Sequence, residues 1–215
     1  MEGVITMELI EAIKKRRSIR KFRSDKIPKE DIYDIIYAAT LAPSAHNKQM
    51  WRFIAISNKD ILREMKRAIM NEIEEVSNWQ ELKGAGVKVK GMRAYSTFFV
   101  KAPLVFAVLV KPYHSMIDEV LKLEGLKKGQ AELLRSQVEI QSVAAAVENL
   151  LLAATEKGYG TCWMCGPLIA APALKEILKI EEPWRLMALV PMGIPDQEPK
   201  PKIVKKIDEV LEFID

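Results

Sequence analysis

The feature that most constrains this chain is a run from about Ala131 to Lys157 that is apolar nearly all the way round a helix. Val138, Ile140, Val143, Val147, Leu150 and Leu151 recur at helical spacing, and Ala144, Ala145, Leu152 and Ala153 fill the positions between them. At about 1.5 Å per residue such a helix extends roughly 40 Å. A helix of this kind must be covered on most sides, and a chain of 215 residues has little other structure with which to do it. Packing against its own copy across a two-fold axis solves the problem, so the pattern predicts a homodimer with this helix at the interface. Gly158 ends the helix in the usual C-terminal position.

The other elements are shorter. A first helix carries Leu9, Ile10 and Ile13 and runs into Lys14-Lys15-Arg16-Arg17-Ser18. Pro28 opens a second, with Ile32, Ile35, Ile36 and Ala39 on one face, ending near Ala42-Pro43. A polar loop, Ser44 to Gln49, feeds a strand at Trp51 to Ile56, and Asn58 and Asp60 begin a third helix reaching about Trp79. Glu81 to Arg93, with four cations and three glycines, reads as a loop or a broken helix. Ala102 to Val110 is a buried strand, Ser115 to Lys128 a helix or a lid, and Ala171 to Leu178 a short helix. A last strand, Arg185 to Met192, precedes an extended C-terminal tail with prolines at 195, 199 and 201. Helices and strands do not alternate as βαβ units. The expected class is therefore α+β, a mixed but mostly antiparallel central sheet flanked by helices, formed by one domain over residues 1–215.

Composition excludes several functions. The 33 basic and 29 acidic side chains are interspersed, for a net charge of +4, so there is no field to argue for nucleic acid. No apolar stretch is read as reaching the ~20 residues of a membrane span, and the N-terminus lacks a signal-peptide pattern. With only two cysteines, Cys162 and Cys165, a cytoplasmic location is expected.

Three segments carry the candidate chemistry. Arg16-Arg17-Ser18-Ile19-Arg20 puts three guanidinium groups and a hydroxyl at a helix end, which suits an anion such as phosphate. The competing reading is cations complementing a helix C-terminus. Pro43-Ser44-Ala45-His46-Asn47 offers small residues that admit a flat ring closely and an amide for its edges. Gly158 to Gly166 is a tight loop whose N–H groups are free to meet an acceptor.

In this order the segments resemble the nitroreductase family of flavin mononucleotide (FMN) enzymes. They match its Arg-Arg-Ser-x-Arg-x-Phe stretch, its Pro-Ser loop before a Trp, and its Gly-x-Gly-Thr-Cys-Trp turn. Ala188-Leu189-Val190-Pro191-Met192-Gly193-Ile194-Pro195 matches a fourth motif. The resemblance implies that Arg16, Arg17 and Ser18 meet the FMN phosphate and ribityl chain, with Lys205, and more weakly Lys202, as further phosphate contacts. Arg20 would stabilise the charge at flavin N1 and O2. Trp163, Met164, Cys165 and Gly166 would line one ring face, with the N–H groups of Cys165 and Gly166 near N5. Pro43, Ser44, Ala45 and Asn47 would come from the other subunit, placing FMN at the dimer interface. NADH or NADPH would be a transient donor, and a small molecule such as a nitroaromatic or quinone the acceptor, in two half-reactions. Met50 departs from the family's usual proline.

Rival readings follow from the same residues. Another flavin reaction on this fold, reductive dehalogenation or flavin fragmentation, is one; a flavin-storage protein without turnover is another. Cys162-x-x-Cys165 offers a redox dithiol, against two buried structural thiols. A metal centre is not expected, since only His46 and His114 are available to add ligands.

Overall fold

The computed structural model describes residues 8–82, 86–114, 120 and 137–214. Helix α1 spans Leu9–Lys15 and α2 Lys29–Thr40. Strand β1 (Trp51–Ile56) leads into α3 (Lys59–Ser77), whose N-terminus is capped by the Asn58 side chain accepting from the N–H groups of Asp60 and Ile61. Then come α4 (Gly86–Thr97), β2 (Leu104–Val110), α5 (Val138–Glu156), β3 (Gly160–Thr161), α6 (Ala171–Ile177) and β4 (Arg185–Gly193).

The sheet has the order β1-β2-β4-β3, with every strand pair antiparallel. The central strand β2 is buried along its whole length, which explains its unbroken apolar sequence: both faces are covered. Leu104, Phe106, Val108 and Val110 face α2 and α5, while Val105, Ala107 and Leu109 face α3 and α6. On β4, Met187 is the extra residue between Leu186 and Ala188, the partners of Leu109 and Val108, a bulge that turns both Met187 and Ala188 toward the α5 side. On α3, the buried residues Leu62, Met65, Ile69 and Ile73 form the single stripe that its periodicity predicts.

Four expectations need correction. The long helix is shorter than expected among the described residues: Gln137 adopts a left-handed conformation (φ 52°), so α5 begins at Val138 and is about 28 Å long. Residues 131–136 lie outside those described. The glycine-rich stretch is helical from Gly86 rather than a loop, because α4 packs against α3 and the turn after Cys165, and tertiary contact outweighs its poor propensity. The third helix stops at Ser77, leaving Trp79 exposed. Finally, α5 is by length and composition apolar enough to cross a membrane. Its position is that of a core helix, with Val143, Ala146, Val147, Leu150, Leu151 and Ala154 packed on the sheet. Of the expected helix or lid at Ser115–Lys128, all but Val120 lies outside the described residues.

At its C-terminus α5 ends on Gly158 (φ 82°), and the N–H of Tyr159 returns to the carbonyl of Ala154 at 2.8 Å. The chain then enters β3 at the sheet edge. On α5, Ala144, Ala145, Leu152 and Ala153 remain only half-buried.

Candidate functional site

The site begins where α1 ends. Arg17 donates to the carbonyls of Lys14 and Arg16, so this guanidinium caps the helix and fulfils the C-terminal reading of the cation run. Arg16 is half-buried, with Nε 3.6 Å from Glu148 Oε1 on α5. Beyond them the chain turns to run beside β3. Ser18 forms a parallel bridge with Thr161, and the N–H of Ile19 donates to the Thr161 carbonyl at 2.8 Å. The approach is close enough that a Cβ on Gly160 would lie 2.6 Å from Ile19 Cγ1. This parallel bridge is the parallel component of an otherwise antiparallel arrangement.

The pairing joins two segments 143 residues apart in sequence, the Arg-Ser motif and the strand that leads into the turn. Met164 exchanges both backbone hydrogen bonds with Leu189, at 2.9 and 3.0 Å. That fixes the turn to β4 and leaves the next two N–H groups, those of Cys165 and Gly166, without a protein acceptor among the described residues. Buried N–H groups are almost always paired; these two belong to exposed residues and are open to a ligand.

The side chains of the turn divide. Cys162 and Met164 point into the core beneath α3 and α6, so Met164 has only its backbone to offer a ligand. Trp163 packs toward α5, with its Nε1 buried and unpartnered. Cys165 is exposed. Burial pushes the Cys162 thiol up, partly offset by Arg20, Ser18 and Arg16, an electrostatic sign of how near these three lie. The two thiols are therefore not a matched buried pair: one is in the core and one at the surface. Among the described residues no group of three or more His, Cys, Asp or Glu side chains is placed to hold a metal ion.

Arg20 is exposed. Its N–H and that of Lys21 both donate to Gln197 Oε1, at 3.0 and 2.9 Å, and its guanidinium carbon lies 5.6 Å from the centre of the Tyr95 ring. Ser96, next to Tyr95, is buried against Gly166: a Cβ on that glycine would meet Ser96 Oγ at 2.6 Å. Helix α4 thus forms a wall over the turn. Tyr95, Ser96 and Gln197 carry no motif, and their sequence distance from Arg20 hid them.

The loop Pro43–Asn47 stands apart. The N–H of Ala45 reaches Ser142 Oγ near the start of α5 at 3.4 Å, and Ser44 Oγ accepts from Gln49 N–H at 3.0 Å. His46 and Asn47 are both left-handed, and His46 Nδ1 pairs with the Tyr113 hydroxyl at 2.5 Å. This histidine is exposed but partnered. No hydrogen bond or ion pair joins Pro43, Ser44, Ala45 or Asn47 to Arg16–Arg20 among the described residues. Nor does one fix Lys202 or Lys205, which lie on a tail exposed from Glu198 to Ile214.

An antiparallel sheet between two helical layers, with an Arg-Ser segment bridged to β3 just ahead of a turn of open N–H groups, defines an α+β class with a candidate anion site at the sheet edge. The chain belongs to the nitroreductase family, whose model matches residues 13–194. A BluB-like flavoprotein from Clostridium difficile 630 shares 31% identity and superposes with a TM-score of 0.88, covering 97% of this chain and 100% of that one. The putative NAD(P)H nitroreductase MhqN of Bacillus subtilis (strain 168) is 26% identical over 96% of this chain and 99% of its own length. The iodotyrosine deiodinase of Thermotoga neapolitana is 28% identical over 90% and 91% respectively.

Proposed function

We propose that the protein is an FMN-dependent oxidoreductase that takes reducing equivalents from NADH or NADPH and delivers them to a small acceptor such as a nitroaromatic or quinone. The observation that carries this reading is the Ser18–Thr161 bridge, which sets the Arg-Ser segment beside the free N–H groups of Cys165 and Gly166. Bound FMN would supply the two-electron chemistry, accepting hydride from the nicotinamide and passing it to the acceptor in a second step.

The chain's own residues supply binding, charge and position. Arg16 and Ser18 hold the phosphate, assisted by Lys205 and Lys202 once the tail is seated. Arg17 contributes mainly by fixing the helix end, since its guanidinium is occupied by carbonyls. Arg20 provides a cation for the pyrimidine edge, where negative charge collects on reduction. The N–H groups of Cys165 and Gly166 would be the donors for N5, and Trp163 and Met164 would shape the floor beneath them. Pro43, Ser44, Ala45 and Asn47 complete the site from a second copy.

That last assignment requires a homodimer, and the surface supports one. The tail exposes Ile203, Val204, Ile207, Phe213 and Ile214, far more apolar area than a free arm retains in water. Leu9, Ile10 and Ile13 of α1 are exposed as well. The outer edge of β1 has no partner strand among the described residues. A groove of about 740 Å³ runs beside that edge, lined by Ile27, Ile32, Tyr33, Ile36 and Leu104. A second copy has the tail to fill it.

The likeness to a deiodinase and to a BluB-like flavoprotein favours one further reading, a different flavin reaction on the same scaffold. An absorption spectrum of the purified protein, followed by anaerobic NADH and then NADPH, separates the two. Yellow protein that bleaches with a nicotinamide and regains colour with a nitroaromatic or quinone supports the main reading. Yellow protein that only dithionite bleaches supports the alternative, and colourless protein that takes up no added FMN defeats both.

A further inference from the structure

Arg20 lies close enough to the start of the turn to act on the Cys162 thiol, yet among the described residues no carboxylate pairs with it. Its partners are the Ser18 carbonyl, at 3.4 Å from Nη1, and the face of Tyr95. An exposed arginine ordinarily samples many rotamers, and holding it in one costs side-chain entropy. An aromatic ring orients a guanidinium through its quadrupole and brings no net charge of its own. A carboxylate in the same place would fix the side chain and cancel its field. The Arg20–Tyr95 pair therefore keeps the charge both oriented and unspent.

Tyr95 is itself held in place although 66% of it is exposed. The residues that follow it are anchored: Ser96 against Gly166, Phe99 fully buried, and Thr97 Oγ1 donating to the Arg93 carbonyl at 2.7 Å. The ring therefore stands at the mouth of the turn on a rigid base. We infer that Tyr95 is a positioning residue of this site, holding the Arg20 cation toward the pyrimidine edge of the flavin so that its charge is available to the reduced ring. The inference rests on the flavin reading and adds to it a residue that the motifs do not contain.

The test uses the FMN-loaded protein and measures the midpoint potential of the bound flavin against a reference dye, with FMN affinity measured alongside. A cation–π contact of about 1 kcal/mol corresponds to roughly a fivefold change in relative affinity for reduced over oxidised flavin. For a two-electron couple that is a fall of about 20 mV in Tyr95→Ala. Tyr95→Phe keeps the ring and is expected to hold the wild-type potential. Arg20→Ala is expected to fall at least as far as Tyr95→Ala, and the double variant no further than Arg20→Ala alone. A wild-type potential in Tyr95→Ala, or a shift that persists in the Arg20→Ala background, overturns the inference while leaving the flavin reading intact. A wild-type protein that binds no FMN overturns the flavin reading and this one with it. Proton NMR gives an independent check on the pair: the Arg20 Nε–H resonance should be displaced by the ring in wild type and Tyr95→Phe and return in Tyr95→Ala. No displacement in wild type refutes the contact itself.

Discussion

The joint between Ser18–Arg20 and β3 is narrow enough that one methyl group should force it open. In Gly160→Ala the new carbon would lie 2.6, 2.8 and 2.9 Å from Cγ1, Cβ and Cγ2 of Ile19. Carbon atoms pack at about 3.5–4.0 Å, so the gap must widen by roughly 0.9–1.4 Å. Rotating Ile19 does not help, because its own Cβ is among the atoms too close. The backbone of Ile19 must move, and its 2.8 Å hydrogen bond to Thr161 stretches out of range. Overpacking costs about 1–3 kcal/mol and the lost bond about 1 kcal/mol more, for a total of about 2–4 kcal/mol. Gly91→Ala is the control: it adds the same methyl to the middle of α4, where nothing lies within 4 Å, and should stabilise by about 0.5–1 kcal/mol. Urea unfolding followed by circular dichroism, at one fixed protein concentration because assembly shifts the midpoint, compares them. A Gly160→Ala protein within about 0.5 kcal/mol of wild type would refute the steric argument. So would a Gly91→Ala protein less stable than Gly160→Ala. The displaced strand carries Ser18 and Arg20, so FMN affinity should fall in the first variant and hold in the second.

Further outcomes follow from the same contacts. Gly166→Ala should be destabilised through Ser96 Oγ, and Ser96→Ala, which removes that atom and leaves Cβ at an ordinary 3.5 Å, should restore it; failure of the second change to rescue the first sinks the idea. The clamp between α2 and α5 should shape the pH dependence: Lys157 Nζ lies 2.9 Å from Asp31 and 2.8 Å from Asp34, and the Tyr159 hydroxyl donates to Asp31 at 2.5 Å. The Tyr159 and Lys157 bonds hold the Asp31 carboxyl below its usual 3.8, so its contribution is present above that value and is lost as pH falls further. Burial and the Asp31 bond push Tyr159 from 10.0 up to about 12, and Asp34 and Asp31 raise Lys157; both contributions are whole below pH 10 and fade as pH climbs past it. Asp31→Asn should flatten both arms of a stability-versus-pH curve, and Tyr159→Phe should cost about 1 kcal/mol at neutral pH. Removing residues 199–215 should leave a monomer by analytical ultracentrifugation, with FMN affinity reduced because Lys202 and Lys205 go with the tail; a dimer of unchanged affinity would contradict the role given to that arm.

Much of this fold is legible from periodicity, because the residues that decide it are buried on predictable faces. The stripe Leu62, Met65, Ile69 and Ile73 fixes α3, and the unbroken run Leu104 to Val110 announces a strand covered on both sides. Helix α4 was not legible: its glycines and lysines argue against a helix, and what holds it is the burial of Ser96 and Phe99 against distant segments. The start of α5 was hidden for a different reason. Nothing in the composition of Ser136-Gln137-Val138 marks Gln137 as left-handed, since that conformation ordinarily falls to glycine or asparagine. In the site, the Arg-Ser segment and the Cys165–Gly166 turn are readable because each is a compact motif. The division of the turn's side chains between two cores depends on the bridge to Leu189, and that is set by the sheet.

Helix α5 explains why the candidate ligands arrive in separate pieces. Ser142 near its start steadies the Pro43–Asn47 loop, Glu148 at its middle meets Arg16, and Gly158 beyond its end releases the chain into the turn. From Ser142 to Gly158 is about 24 Å along the axis, too far for one copy to close a ring-sized site with both. Two such helices packed antiparallel would set the start of one beside the end of the other. The half-buried Ala144, Ala145, Leu152 and Ala153 give the small apolar surface that such an approach needs. In the proposed dimer the apolar helix is thus both the interface and the measure of the site: its length separates the two halves within a chain, and its two-fold pairing reunites them between chains.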